Sequence, residues 1–342
     1  MKLRVGIVGL GEQWESRHLP ALRTLADRFE VRGICEQVSH RAQRAASELN
    51  AAAVDGFRAL ASRDDIDALL YLADQWFGAT PILAACDHGK AIYSAISLPL
   101  EADEAGLLRR RVEESGIAFM AELPRRHAPA TVRLKELIAT RLGQPRMLFC
   151  HRRVPLSGAA AAASTRDRRT EARDLMELVD WCRYVAGIEP TSVVAVRHAE
   201  TAGGDADDYQ MMSLDFAQNG RPGDGPLAQI SCGYYMPSRW EEAVGFRPPP
   251  ALQVVCENGI AFVDLPAALV WFDTAGRHQE SLESERPVGE QMLVQFHRMV
   301  TSLVRHMSGL DDTLCAMRIV QAAAASQAEG RRVPLSAAGC GR

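Results

Sequence analysis

The feature that most restricts this chain is a pair of glycines set between a strand and a helix. Residues LRVGIV, Leu3–Val8, read as an apolar β-strand, and Gly9-Leu10-Gly11 follows with no gap. The stretch HLPALRTLADRF then carries Leu19, Leu22, Leu25 and Phe29 at helical spacing. A tight glycine turn at such a junction lets backbone N–H groups approach a pyrophosphate where the helix begins. The third glycine of a G-x-G-x-x-G pattern is missing, and Trp14 stands in its place. A purely structural turn would also account for Gly9 and Gly11. Glu36 adds weight to the binding reading, because it ends the next strand-like segment, EVRGICE. A carboxylate there accepts hydrogen bonds from the adenosine ribose and repels a 2′-phosphate. The expected cofactor at Gly9, Gly11 and Glu36 is therefore NAD, with NADP disfavoured; a solvated strand end is the alternative for Glu36. Glu12 is an awkward neighbour for a pyrophosphate, and Arg17 is placed to offset its charge.

Beyond this turn, short apolar runs alternate with amphipathic stretches as far as the strand IAFMAEL. That alternation implies βαβ units and a parallel sheet. The pattern then changes. A helix is expected from Ala130 to Thr140 and another from Glu171 to Val185, ending at Gly187. The strand-like runs SVVAVRHA, YQMMSLDFA, LAQISCGYYM, ALQVVCE, IAFVDL and ALVWFD follow with little helix between them, the mark of an antiparallel sheet. The expected architecture is an α/β Rossmann domain over 1–123, then an α+β domain over 124–342 with a large, open-faced, mainly antiparallel sheet.

Composition narrows the function classes. The formal net charge of −4 gives no basic excess for nucleic acid or an anionic membrane surface. No run approaches the ~18 apolar residues of a membrane helix, and the first strand is not preceded by a signal-like core, so a cytoplasmic protein is expected. None of the eight cysteines falls in a C-x-x-C pair. They read as reduced thiols acting as small hydrophobes, and no ligand spacing for a metal is present.

Several segments in order resemble the glucose–fructose oxidoreductase and inositol dehydrogenase family (Gfo/Idh/MocA). GIVGLG with RHLPAL is similar to that family's first strand, turn and helix, with about one extra residue in the turn, and VRGICE to its second strand. SRDDIDALLYLA, Pro99-Leu100, RRHAPATVRLKEL, DWCRYVAG and GRRVPL continue the likeness almost to the end of the chain. The resemblance implies a Rossmann domain, an open-faced sheet domain, a sugar-like small-molecule substrate, and a homodimer or homotetramer.

The departures from the family pattern fall on its chemistry. Where it carries a lysine in E-K-P, this chain reads Ser97, Leu98, Pro99. Its signature helix offers an aspartate and a histidine one turn apart, and those places hold Arg173 and Glu177; a one-residue slip would substitute Asp174. Pro124 replaces an asparagine, although Arg126 remains, and the loop after the fourth strand reads Ala73-Asp74-Gln75-Trp76-Phe77-Gly78. Glu177 is left as the candidate general base, and an ion pair with Arg173 is its structural alternative. Tyr93, Glu122 and His127 qualify by position, and Lys90 reads as a cap on the preceding helix. Arg126 and Arg173 are the candidate substrate contacts. With Arg125, Arg166, Arg168 and Arg169 they make an anionic sugar conceivable, since a guanidinium holds a carboxylate or phosphate with paired hydrogen bonds. Two functions remain open: an NAD-dependent oxidoreductase with a non-standard active site, and a catalytically degenerate relative that binds a dinucleotide or ligand as an assembly subunit.

Overall fold

Strand β1, Leu3–Val8, lies between β2, Phe29–Cys35, and β4, Ala68–Tyr71, and runs parallel to both. A strand paired on both edges and covered on both faces must be apolar throughout, and five of its six residues are buried. The computed structural model describes residues 1–73, 77–95, 102–156, 168–199, 208–217, 221–237, 242, 246, 248–283, 285–302 and 307–335. The chain divides into a first unit, Met1–His127 with Arg286–Thr313, and a second, Ala128–Glu285 with Leu314–Arg342. This division is discontinuous, a feature that a linear boundary at residue 123 does not carry.

The first unit holds a wholly parallel sheet. The short β3, Ala52–Ala53, pairs with β2, while β5, Ala91–Ser94, and β6, Phe119–Ala121, extend the other side from β4. A two-residue strand, Met307–Ser308, adds to β6. The order reverses at β1, and doubly wound folds take their ligands beyond the C-terminal strand ends at such a reversal. Helix Val288–Thr301 contributes Met292, Leu293, Phe296 and Met299 to the same core as Leu3, Val5 and Ile7.

The extra residue in the first turn appears as a π-helical turn, Trp14–His18, ahead of a short α1, Leu19–Thr24. An inserted residue that widens one turn leaves the following helix in register. Trp14 is buried in the core rather than lining the glycine turn.

The second unit is built on a nine-stranded sheet. The six anticipated strands are present, over Ser192–Ala199, Asp208–Asp215, Leu227–Pro237, Leu252–Cys256, Ile260–Asp264 and Ala268–Asp273. A long strand that the apolar pattern does not announce, Pro145–Leu156, lies inside the sheet and pairs in parallel with Leu227–Pro237. Its arginines and prolines mask the period. The polar edge strand Gly276–Ser281 is hidden for the same reason. Apart from the one parallel pair, the strand pairs of this sheet are antiparallel. Helix Pro129–Leu137 and the signature helix, Arg168–Ala186, pack on it, with the buried Trp181 donating to Thr131 at 3.0 Å. The signature helix starts before the expected Glu171, and Gly187 ends it at φ 77°. Residues 157–167 of the alanine- and arginine-rich stretch, Arg166 among them, lie outside the described residues, as do Ser97, Leu98, Pro99 and Leu100 and Asp74, Gln75 and Trp76 of the loop after β4. Six cysteines are free and buried, as expected of small hydrophobes, but Cys315 is disulfide-bonded, against the expectation of reduced thiols.

Candidate dinucleotide site and flanking polar clusters

The glycine turn closes against the exit of β4. Gly9 has φ 73°, and a Cβ there would stand 2.6 Å from that of Ala73. At Gly11 a Cβ would meet the Leu72 carbonyl oxygen at 2.1 Å. Both glycines are required by their own packing, and that packing shapes the floor of a cavity of about 330 Å³. Its walls include Leu10, Glu12, Glu36, Val38, Arg41 and Phe77. The N–H groups of Gly9 and Leu10 are used, donating to the Cys35 carbonyl at 2.8 Å and to Glu36 Oε2 at 2.6 Å. Those of Gly11, Glu12 and Gln13 donate to nothing among the described residues.

Glu36 follows β2, and its side chain is only 8% exposed. The N–H of Leu10 anchors one carboxylate oxygen, and the Gln37 N–H reaches the other at 3.1 Å. Arg41 donates to the Leu10 carbonyl at 2.9 Å and has a second nitrogen 3.9 Å from Glu36 Oε1. Gly9, Gly11 and Glu36 thus meet in one pocket. Three unsatisfied N–H groups, a fixed carboxylate and a turn that admits no side chain are a donor and acceptor set that suits a pyrophosphate joined to a ribose.

A second cluster lies at the ends of β5 and β6. Glu122 is 3% exposed, and its carboxylate receives Arg17 on one oxygen, and His18 at 2.8 Å and Tyr93 at 2.9 Å on the other. Burial would raise the Glu122 carboxyl, but His18 and Arg17 outweigh it and hold it at about 2. Burial and the Glu122 charge push the Tyr93 hydroxyl well up, so it stays a donor. His127 is driven down to about 4, first by burial and then by the Arg126 charge.

The remaining anticipated residues are accounted for as follows. Arg126 donates to Asp312 at 2.8 Å within the first unit. Lys90 closes the end of the preceding helix, Thr80–Asp87, with its N–H on the Ala85 carbonyl at 2.9 Å, while its ammonium donates to the carbonyls of Arg63 and Ile66, both at 2.8 Å, and ties down the loop after helix Phe57–Ala61. In the second unit Arg173 and Glu177 lie one turn apart on the signature helix, with 3.7 Å between Nε and Oε1. Arg152, on the unannounced strand Pro145–Leu156, bonds the buried Asp174 at 2.8 Å and stands 3.9 Å from Glu177 Oε2. Among the described residues no group of three His, Cys, Asp or Glu side chains is placed to hold a metal, and no helix is long and apolar enough to cross a membrane.

Residues 3–114 match the sequence profile of the GFO_IDH_MocA family, described as an oxidoreductase family with an NAD-binding Rossmann fold. Over that stretch the chain is similar to the Gfo/Idh/MocA oxidoreductases. A D-xylose 1-dehydrogenase (NADP(+)) from Haloferax volcanii is 29% identical over 139 residues, 40% of this chain and 42% of that relative. Less than half of the relative's length is therefore matched. Across 98% of this chain the fold is similar to an aldose–aldose oxidoreductase from Caulobacter crescentus, covered in full, with a TM-score of 0.81 at 15% identity. It is likewise similar to a levoglucosan dehydrogenase solved with NADH and levoglucosan, over 98% of this chain and 99% of that one, with a TM-score of 0.79 at 17% identity.

Sequence reasoning missed Arg152 and the meeting of Arg17 and His18 at Glu122. Arg152 was hidden with its strand. The joint role of Arg17 and His18 was hidden because the π-helical turn, which points both at Glu122, has no periodic signature. The acid after β6 and the tyrosine in an otherwise aliphatic strand were the available signals.

Proposed function

We propose that this chain is an NAD-dependent oxidoreductase acting on a carbinol of a sugar, cyclitol or related polyol, with an active site that departs from its family's usual set. The observation that carries this reading is the Glu36 carboxylate, locked to the Leu10 N–H beside three unused N–H groups. Such a carboxylate accepts from both ribose hydroxyls and leaves no room for a 2′-phosphate, which favours NAD. Bound nicotinamide supplies a hydride acceptor for the carbinol carbon. The protein's task is then to hold the substrate and take the hydroxyl proton. Glu177 is the proposed proton acceptor, and Arg126 and Arg173 the proposed substrate contacts. The dehydrogenases similar in sequence or fold support a sugar-like substrate; the arginines support testing acidic sugars beside neutral ones. A homodimer or larger assembly through the open sheet face completes the reading.

The second function, a dinucleotide-binding subunit without turnover, is favoured by one observation: both oxygens of Glu177 already face guanidinium groups, Arg173 and Arg152. Calorimetry with NAD and NADP, followed by an NADH absorbance assay over neutral and acidic sugars and cyclitols, separates the two. Binding with turnover supports the enzyme. Tight binding without turnover across a broad panel, and with Glu177→Gln behaving as the parent, supports the subunit. Absence of dinucleotide binding overturns both.

A further inference from the structure

Cys315 differs from the other described cysteines. The chain has eight. Cys35, Cys86, Cys150, Cys182, Cys232 and Cys256 are thiols, whereas Cys315 is disulfide-bonded. Six thiols and one bonded sulfur leave Cys340 as the other half of the bond. The chain is long enough to make it. Cys315 lies in the second turn of helix Leu310–Glu329, about 21 Å along the axis from the helix end. The roughly eleven residues from Glu329 to Cys340 can span about 36 Å.

Between the two cysteines in sequence lies the strand Val333–Pro334, which ends the nine-stranded sheet and runs antiparallel to Ser192–Ala199. Its grip is short. Val333 pairs with Val193 and Pro334 with Ser192, and a proline has no N–H to donate. The Leu335 N–H then reaches the Thr191 carbonyl at 2.8 Å. Val333 is half-buried and Pro334 exposed, so apolar burial adds little. Ahead of the strand, Arg332 donates to the buried Asp215 at 2.7 Å and fastens that end. A cross-link at Cys340 fastens the other end.

The surroundings of Cys315 suit two oxidation states. The residue is 1% exposed, and its Sγ stands 3.6 Å from Glu189 Oε2. A disulfide sulfur has no proton to share, so in the bonded form this is a contact only. A thiol at the same place donates to the carboxylate, so reduction leaves no orphaned S–H behind. Glu189 is itself held by two hydrogen bonds from Arg183, both at 2.7 Å, and stays in place in either state.

We infer that Cys315 and Cys340 form a redox-operated clasp, whose disulfide fastens the strand Val333–Pro334 to the edge of Ser192–Ala199 and whose reduction releases it. Opening takes two electrons and two protons from a dithiol. A thiolate of the dithiol attacks one sulfur, the other sulfur leaves and is protonated, and the second thiol of the reductant resolves the mixed disulfide. Two protein thiols and an oxidised dithiol result. A two-residue edge strand held at one end frays, whereas closing the loop at the other end removes the entropy that fraying gains.

The test uses the full chain after incubation with oxidised glutathione and again after dithiothreitol, beside Cys340→Ser. Thiol titration in denaturant is expected to count about six thiols before reduction and eight after, and peptide mapping without reductant to recover Cys315 linked to Cys340. Hydrogen exchange in the segment Arg331–Leu335 should be at least tenfold faster in the reduced parent than in the oxidised one, while strand Leu3–Val8 exchanges alike in both. Cys340→Ser should match the reduced parent and ignore dithiothreitol. Eight thiols after the oxidant, or Cys315 linked to a different cysteine, overturn the pairing. A linked Cys315–Cys340 peptide with equal exchange at Arg331–Leu335 in the two redox states overturns the clasp.

Discussion

Arg152 and Asp174 are joined at 2.8 Å, tying the strand Pro145–Leu156 to the signature helix. Asp174 is nearly fully enclosed, whereas Arg152 keeps about a third of its side chain exposed. Removing the arginine takes a charged donor from a buried carboxylate, which costs more than an exposed pair would. Arg152→Met should lower the unfolding free energy by about 1–3 kcal/mol, and Arg152→Met/Asp174→Asn should recover part of it. Urea denaturation measures both. A loss below about 0.5 kcal/mol would place the pair among the screened surface bridges.

Two groups of the first unit, the enclosed Glu122 carboxylate and the half-buried His127, should mark separate acid windows. His127 has a folded pKa of about 4 against 6.5. The unfolded chain therefore binds its proton first, and stability is lost as pH falls from 6.5 towards 4. Glu122 stands at about 2 against 4.5, so its contribution is complete above 4.5 and disappears as pH falls towards 2. His127→Gln should flatten the upper window alone, and Glu122→Gln the lower one alone. Unfolding free energy measured against pH, with unchanged slopes in either variant, would refute the corresponding assignment.

Leu10 and Glu36 set the cofactor prediction. Glu36→Ala removes the acceptor held by the Leu10 N–H and leaves Arg41 in the cavity wall. NAD affinity should fall and NADP affinity hold or rise, narrowing the preference by at least tenfold, equivalent to about 1.4 kcal/mol. Calorimetry on the parent that showed equal affinities, or an NADP preference, would remove the basis for this prediction.

The glycine turn, β1 and the Glu36 position were legible because each is a local rule: an apolar run, a φ that only glycine adopts readily, an acid at a strand end. The clusters were not, because their members are assembled by tertiary packing. Glu122 and Arg17 are 105 positions apart, and no local pattern joins them. Arg152 was invisible for a different reason. Its strand does alternate, with Leu148 and Cys150 buried and Met147 exposed, but Arg146, Arg152, Arg153 and Pro155 break the pattern that would have announced it. Glu177 was legible as a position on a helix, but the second arginine facing it was not.

The last prediction concerns assembly. The second unit's sheet carries helices Pro129–Leu137 and Arg168–Ala186, while Val194, Val196, Met211, Leu227, Met147 and Phe272 are exposed on its strands. Their chain neighbours Val193, Met212, Ala228, Leu148 and Trp271 are buried, so the exposed set belongs to the opposite face. Cross-strand pairing adjoins them: Val196 is opposite Met211, and Leu227 opposite Met147. Exposed apolar pairs on one face favour burial against another surface, and a second copy offers a self-complementary one. Light scattering should therefore give a multiple of 37.4 kDa at micromolar concentration. Val196→Asp, at a site 54% exposed, should shift the mass to the monomer without lowering the far-UV circular dichroism. A parent protein that is already monomeric would sink the idea. A Val196→Asp protein of unchanged mass would move any interface off this part of the sheet.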